Sequence, residues 1–185
     1  FRFWVNMESK TYDLHWHSST EIIVPIKEQI HVIVKQQEYC VNPGDIFIIP
    51  AGELHEFTCT DQGIRLIFLY DLSVLQPVTG FPYLNSTFSQ PVLITSQEAI
   101  YEKEMELLFH MFQDYYSQSS LRELMMFSKL VNFYVEYQEN HPLSNASMPK
   151  QYEKSITDRL NLVFFYINQH YMEDIPLEKA AEIAG

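Results

Sequence analysis

The sequence predicts an α+β chain in which an antiparallel β-barrel precedes a set of amphipathic helices. Short β-branched and aromatic runs alternate with turn residues over roughly the first 95 positions, a pattern typical of small β-barrels and sandwiches. From position 97 onwards the apolar residues recur at helical spacing. Apolar residues make up 46% of the 185 positions and charged residues 19%, which is the balance of a globular protein.

The N-terminal part contains five runs with the composition of β-strands. Turn residues separate them, most clearly in the Asn-Pro-Gly sequence at 42–44 and the Pro-Ala-Gly sequence at 50–52. Residues 78–91 are rich in Pro, Gly and Ser and are predicted to form a loop before the last strand. The predicted strands are 21–24, 30–34, 46–49, 64–70 and 91–94.

Two helices are predicted to follow as an antiparallel hairpin. They span 97–116 and 121–139, and a Ser-rich turn joins them. Their apolar stripes exceed what one barrel face can cover, so we expect the hairpin to form a homodimer. The predicted dimerisation residues are Leu108, Phe112, Leu124, Phe127 and Val131.

The C-terminal part is predicted to begin a second helical unit. Residues 155–158 fit a capping box before a helix, and Pro176 suits the first turn of a further helix. The predicted domains are a barrel at 1–96, a hairpin at 97–140, a linker at 141–154 and the start of the second helical unit at 155–185.

Composition excludes several classes of function. The net charge of −12 argues against a surface that grips a phosphate backbone. The two cysteines, Cys40 and Cys59, do not suggest a disulfide framework, which favours a reducing cytoplasm. The apolar runs are too short to span a bilayer, so no membrane association is expected.

Two segments carry most of the chemistry-bearing residues. The first is His-Trp-His-Ser-Ser-Thr-Glu at 15–21, and the second runs from Gly44 to His55. His15 and His17 share one face of a strand, since side chains alternate along it. Trp16 should therefore point the opposite way, and we expect it to pack against the helices or the N-terminal segment.

The spacings of these two segments resemble the two sequence signatures of the cupin family of β-barrels. The resemblance implies that four polar residues line the barrel interior: His15, His17, Glu21 and His55. In metal-dependent cupins these positions hold a divalent ion, and imidazole and carboxylate suit Zn, Ni, Fe or Mn. A metal-dependent cupin enzyme of the dioxygenase or isomerase type is therefore the alternative function.

Residues 159–185, especially the run from Ile175 to Gly185, resemble the opening of the DNA-binding region of AraC-type transcriptional regulators. In that family a cupin-like barrel, a dimerisation hairpin and a linker precede two helix-turn-helix units, the order predicted for this chain. The resemblance implies a cytoplasmic, non-enzymatic sensor that binds a small-molecule effector, with a sugar as the leading class. DNA would be bound only by the helix-turn-helix region after Gly185, so these residues alone are expected not to bind a specific site.

The resemblance also suggests residues that contact the effector. Lys27 stands where the arabinose-binding member of the family has a sugar-contacting Arg, and Phe57 and Phe68 fall near aromatic residues that flank that ligand. A solvated charge is the alternative for Lys27, and barrel core is the alternative for the two phenylalanines. Because AraC-type sensors have generally lost metal chemistry, the prediction is a sensor without a cofactor, and a divalent metal on the His/Glu set is the alternative.

Overall fold

The computed structural model of the protein describes residues 1–7, 11–59, 63–72, 75, 78, 80–142 and 156–185. Within these ranges the nine β-strands form two antiparallel sheets. One sheet has the order β1-β8-β3-β6-β9 and the other the order β2-β7-β4-β5. The strands are β1 Arg2–Asn6, β2 Tyr12–His15, β3 Thr20–Lys27, β4 Ile30–Val34, β5 Gln37–Val41, β6 Ile46–Ile49, β7 His55–Thr58, β8 Ile64–Tyr70 and β9 Val92–Ile94.

Five helices accompany the sheets in the described part of the chain. The pair α2 and α3 forms an extensively packed hairpin, and α4 packs against α5. None of the described helices combines the length and the apolar character needed to cross a lipid bilayer. The helices are α1 Phe81–Thr87, α2 Tyr101–Tyr115, α3 Arg122–Asn140, α4 Ile156–His170 and α5 Leu177–Ala184.

The five-stranded sheet is buried on both faces, which explains why its central strands are almost wholly apolar. Side chains alternate along β3, so Ile23 enters the core between the two sheets, whereas Ile22 and Val24 enter a second core beneath the helices. Phe47 and its neighbour Ile48 divide in the same way on β6. The sheet therefore supports the barrel interior on one side and the helical hairpin on the other.

Three tyrosines of the helical hairpin form hydrogen bonds to the barrel. The hydroxyls of Tyr70 on β8 and Tyr134 on α3 lie 2.5 Å apart in the buried core. Tyr116 donates to the carbonyl of Phe3 at 2.9 Å, and Tyr101 donates to that of Gly44 at 2.8 Å. Each phenol buries an apolar ring and satisfies its hydroxyl at the same time, which anchors the helices in one position.

The α+β prediction is confirmed, and one local prediction is wrong. Residues 81–87 of the predicted loop form α1. A proline in the first turn is compatible with a helix start, and Leu84 gains contact with the core beneath the hairpin. Most of the predicted linker and the first residue of the predicted capping box lie outside the described residues.

The hairpin also differs from the prediction, because part of its apolar surface packs against its own barrel. Leu108 is only 1% exposed and belongs to the core of its own chain, so its assignment to a dimer interface is corrected. Phe112 meets the ring of Phe3 edge to face at 5.2 Å. Phe127 and Val131 are half-buried, whereas Leu124 is 68% exposed. The barrel therefore covers more of the hairpin than the sequence predicts.

A buried carboxyl group lies between α2 and α3. Glu104 is fully buried, and neither of its carboxylate oxygens forms a hydrogen bond. Burial raises the pKa of Glu104 to about 8; the nearby Glu136 carboxylate adds to this rise, and Lys103 opposes it. The folded state therefore favours the protonated, neutral form of this side chain.

We predict that Glu104→Gln removes a pH dependence of stability. The carboxyl of Glu104 has a higher pKa in the folded than in the unfolded chain, so its contribution is complete below about pH 4.5 and is lost as the pH rises through 8. Denaturant unfolding of both proteins should show the Gln variant gaining on the order of 4 kcal/mol over wild type between these pH values.

The exposed Glu106 on the same helix provides the control, because Glu106→Gln changes the same net charge. Its stability difference from wild type should hardly vary with pH. A Glu104→Gln difference that is equally flat would contradict the assignment of a protonated buried carboxyl.

Candidate functional site

The four polar residues predicted to converge do so at one end of the barrel. His15 ends β2 and pairs directly with His55 at the start of β7, so both imidazoles occupy one face of the four-stranded sheet. Glu21 comes from β3 in the opposite sheet, and His17 lies in the segment that joins β2 to β3. The site therefore draws its residues from both sheets.

A tight turn before β7 brings His55 back to the His-x-His segment. Gly52 adopts a φ of 77°, a left-handed conformation that favours glycine. Its N–H donates to the carbonyl of His17 at 2.8 Å, which ties the turn to the first segment. The Pro-x-Gly-x-x-His sequence thus forms the turn that brings His55 next to the His-x-His segment.

The three imidazoles form a close cluster. The ring centroids lie 4.3 Å apart for His15 and His55, 5.0 Å for His17 and His55, and 5.9 Å for His15 and His17. One ring nitrogen from each comes within 4.8 Å of the others. His55 and Glu21 are buried and the other two histidines are half-buried, so the cluster is reached from the side of His15 and His17.

Each imidazole has one nitrogen tied to the main chain. Nδ1 of His15 lies 2.7 Å from the carbonyl oxygen of Asp13, Nδ1 of His17 lies 2.9 Å from that of Ser19, and Nδ1 of His55 lies 2.7 Å from that of Glu53. A carbonyl oxygen only accepts, so Nδ1 must carry the hydrogen in all three rings. In the neutral rings the lone pair is therefore on Nε2, the tautomer of a metal-binding histidine.

The carboxylate of Glu21 completes the set. Its Oε2 lies 3.1 Å from Nε2 of His17 and 3.3 Å from Nε2 of His55. Burial lowers the pKa of His17, but the hydrogen bond and charge of Glu21 outweigh it, so this pKa lies above its usual value. Burial raises the pKa of Glu21, and the contacts with His17 and His55 outweigh it, so that pKa is lowered.

This arrangement fits a divalent metal ion. Nε2 of His55 is buried and forms no hydrogen bond, although it lies beside the carboxylate. Nε2 of His55 and Oε2 of Glu21 both carry lone pairs, so this short contact is favourable only when a proton or a metal ion binds at it. Three imidazoles and one carboxylate suit Zn, Ni, Fe or Mn, and an ion with more than four coordination positions keeps some of them for a further ligand.

The structure places the other predicted effector residues away from the cluster or within the core. Lys27 is exposed at the far end of β3, six residues or about 20 Å along the strand from Glu21, which corrects its assignment to the site. Phe68 faces the hairpin and stacks on Phe3 at 4.4 Å, so it is outside the barrel interior. Phe57 is inside the barrel, 6.5 Å from the ring of His15, but it is buried.

Sequence reasoning missed a buried cation below the cluster. Arg65 on β8 is fully buried, and its guanidinium carbon lies 5.5 Å from the ring centroid of Tyr12 and 5.3 Å from that of Phe57. Strand alternation was the available signal, since Arg65 shares the inward face of β8 with Ile67. The guanidinium and the two rings fill the barrel beneath the histidines.

Comparisons with known proteins give two independent matches. Residues 3–70 match the cupin domain family. The HTH-type transcriptional regulator YbfI of Bacillus subtilis is 23% identical over 180 residues, which represent 92% of this chain and 60% of YbfI. The chain therefore spans less than two thirds of this relative.

Solved structures show the same fold at low sequence identity. The match to apo ToxT of Vibrio cholerae covers 98% of this chain and 70% of the ToxT chain, with a TM-score of 0.60 and 9% identity. The AraC-like transcriptional activator CuxR matches 91% of this chain and 57% of its own, with a TM-score of 0.55 and 10% identity. Residues 3–70 therefore form a cupin domain, and the chain shares the fold of these regulators. The predicted resemblance is confirmed, and the polar cluster lies at one end of the cupin barrel.

A second ToxT structure contains a bound small molecule. ToxT of strain O395 was solved with (E)-4-(8-methylnaphthalen-1-yl)but-3-enoic acid, and it matches 98% of this chain and 69% of its own. The TM-score is 0.52 and the identity 11%, so the likeness concerns the fold.

We predict that the chain binds one Zn²⁺ or Ni²⁺ ion at the cluster. His55→Ala should weaken binding by about 100-fold or more, because it removes the one fully buried imidazole of the set. Titration calorimetry on metal-stripped protein measures this directly. His31→Ala is the matched control, since His31 is exposed on β4 and should leave the affinity unchanged. Equal affinities for the two variants would place the metal elsewhere.

Proposed function

We propose that the chain is the effector-sensing portion of a cytoplasmic AraC-type transcription regulator rather than an enzyme. The observation that carries this proposal is a convergent His/Glu cluster at the accessible end of a cupin barrel in a chain of AraC-like architecture. On this proposal α4 and α5 belong to a helix-turn-helix region that binds DNA. Effector binding in the barrel controls that region.

The effector site is proposed to be the metal-loaded cluster. His55 and Glu21 are buried, whereas His15 and His17 are half-buried, so the open coordination positions face the solvent side. One ligand oxygen would add a fifth ligand to a Zn ion there, and a ligand with two neighbouring oxygen donors would complete a six-coordinate ion such as Ni. Vicinal hydroxyls make a sugar the leading class, and the carboxylic acid bound to ToxT makes a small organic acid the second.

We predict that effector binding depends on the metal cluster and not on Lys27. Thermal shift with a panel of sugars and sugar acids should reveal a stabilising ligand for the Zn²⁺-loaded chain, because a ligand of the folded state raises the melting temperature. His15→Ala should abolish the shift. Lys27→Ala should leave it intact, because Lys27 lies at the opposite end of β3. Loss of the shift in the Lys27 variant alone would move the effector site to that end of the barrel.

A metal-dependent cupin enzyme is the second candidate, because its complete ligand set is present in one cluster. The same experiment separates the two functions. A sensor returns the stabilising ligand unchanged after incubation, whereas an enzyme converts it, and mass spectrometry of the recovered ligand distinguishes the two.

We further propose that the regulator forms a homodimer through α3. The outer face of α3 and its N-cap residue together expose four apolar side chains: Leu121, Leu124, Met125 and Val135. An apolar groove of about 280 Å³ lies beside this stripe, between α3 and the segment that contains Leu75 and Leu84. A second copy of α3 would bury the stripe, and its two-fold arrangement would pair equivalent residues.

We predict that Leu124→Glu converts the dimer to a monomer without unfolding the chain. Leu124 is 68% exposed, so a charge there disturbs the proposed interface and not the core. Sedimentation velocity at low micromolar concentration measures the mass. Leu177→Glu on α5, where Leu177 is 81% exposed, adds the same charge outside the hairpin and should leave the dimer intact. A Leu124→Glu protein with wild-type mass would contradict the interface.

A further inference from the structure

Trp16 connects the histidine cluster to the C-terminal helices. It stands between two cluster residues in the sequence, and its ring lies 5.2 Å from that of Phe164 on α4, at an interplanar angle of 44°. We propose that Trp16 transmits the occupancy of the cluster to α4. The inference rests on the proposed function, because it takes the metal-binding cluster as the sensing site.

The first step in this coupling is the rigid link between the imidazoles and their own backbone. Nδ1 of His15 donates a hydrogen bond to the carbonyl of Asp13, and Nδ1 of His17 donates one to the carbonyl of Ser19. Both hydrogen bonds span two residues, so together they enclose the stretch 13–19 with Trp16 at its centre. A shift of either imidazole therefore moves the backbone that carries the indole.

The second step is a contraction of the cluster when it binds metal. Nitrogen ligands at about 2.1 Å from one ion lie roughly 3.0–3.5 Å from each other. The rings of His15 and His17 are 5.9 Å apart, and their ligand nitrogens lie within 4.8 Å of each other. Bringing them onto one ion draws the two ends of the 13–19 stretch inward, whereas the carbonyl of His17 stays tied to Gly52.

The third step is the passage from α4 to α5. Trp16 remains 45% exposed, so its contact with Phe164 is a surface contact that can change without opening a core. Arg159 on α4 donates from Nη1 to the carbonyl of Gly185 at 3.0 Å, and the two helices pack along their length. A displacement at Phe164 is therefore shared by α4 and α5.

Hydrogen exchange of the chain with and without Zn²⁺ tests the proposal. In the wild type, saturating Zn²⁺ should change the exchange rates of the α4 amides by about tenfold, in the usual range of allosteric coupling. Trp16→Ala should bind Zn²⁺ with wild-type affinity by calorimetry and reduce the change at α4 to less than about twofold. Phe164→Ala removes the same contact from the helix side and should give the same result.

Leu14→Ala is the matched control, because Leu14 is a 60% exposed apolar residue on β2, two positions before Trp16. It should retain the full Zn²⁺ response. An α4 response that persists in both aromatic variants overturns the proposal, as does Zn²⁺ binding that leaves α4 unchanged in the wild type. Both results leave metal binding at the cluster intact, whereas a wild-type chain that binds no Zn²⁺ overturns the metal-dependent site together with the coupling.

Discussion

The candidate site depends on the contact of the buried Glu21 carboxylate with the imidazoles of His17 and His55. Oε2 of Glu21 lies against Nε2 of His17 and of His55, and in the neutral tautomers both nitrogens present lone pairs to it. The fold cannot relieve this arrangement by rotating the rings, because each Nδ1 is held by a main-chain carbonyl. Positive charge must therefore accompany the cluster, either as a proton on His17 or as a metal ion. The cluster therefore fits either a protonated imidazole or a bound metal ion at this end of the barrel.

The position of the Glu21 carboxylate depends on the five-stranded sheet, which packs against a core on each of its two faces. Glu21 and Ile23 point into the barrel, whereas Ile22 points into the core beneath the hairpin. The hairpin is fixed to this sheet through the buried pair of Tyr70 and Tyr134. Packing of α2 and α3 therefore supports the strand that positions Glu21, and the histidine cluster and the helices share one structural element.

Much of this architecture could be predicted from the sequence, because local spacing carries it. The resemblance of the His-x-His segment and the Pro-x-Gly-x-x-His turn to the cupin signatures predicted the convergence of the cluster, and helical periodicity predicted α2 and α3 to within a few residues. Features set by distant packing could not be predicted in this way. The placement of Leu108 in the intrachain core and the direction of Phe68 depend on which face the helices cover, and α1 depends on the core contact of Leu84. The distance of Lys27 from the cluster depends on the length of β3, which the apolar run at 21–24 underestimates.

The guanidinium of Arg65 lies against the stacked rings of Tyr12 and Phe57, and these three side chains close the barrel below the histidines. Phe57 is one strand pleat below His55, so this closed end lies immediately beneath the imidazoles. On the proposed function, an effector at the cluster would extend over the rim, across the turns at 16–19 and 50–54. Ligand selectivity in related chains would then change through substitutions in those two turns, because core side chains fill the barrel below them.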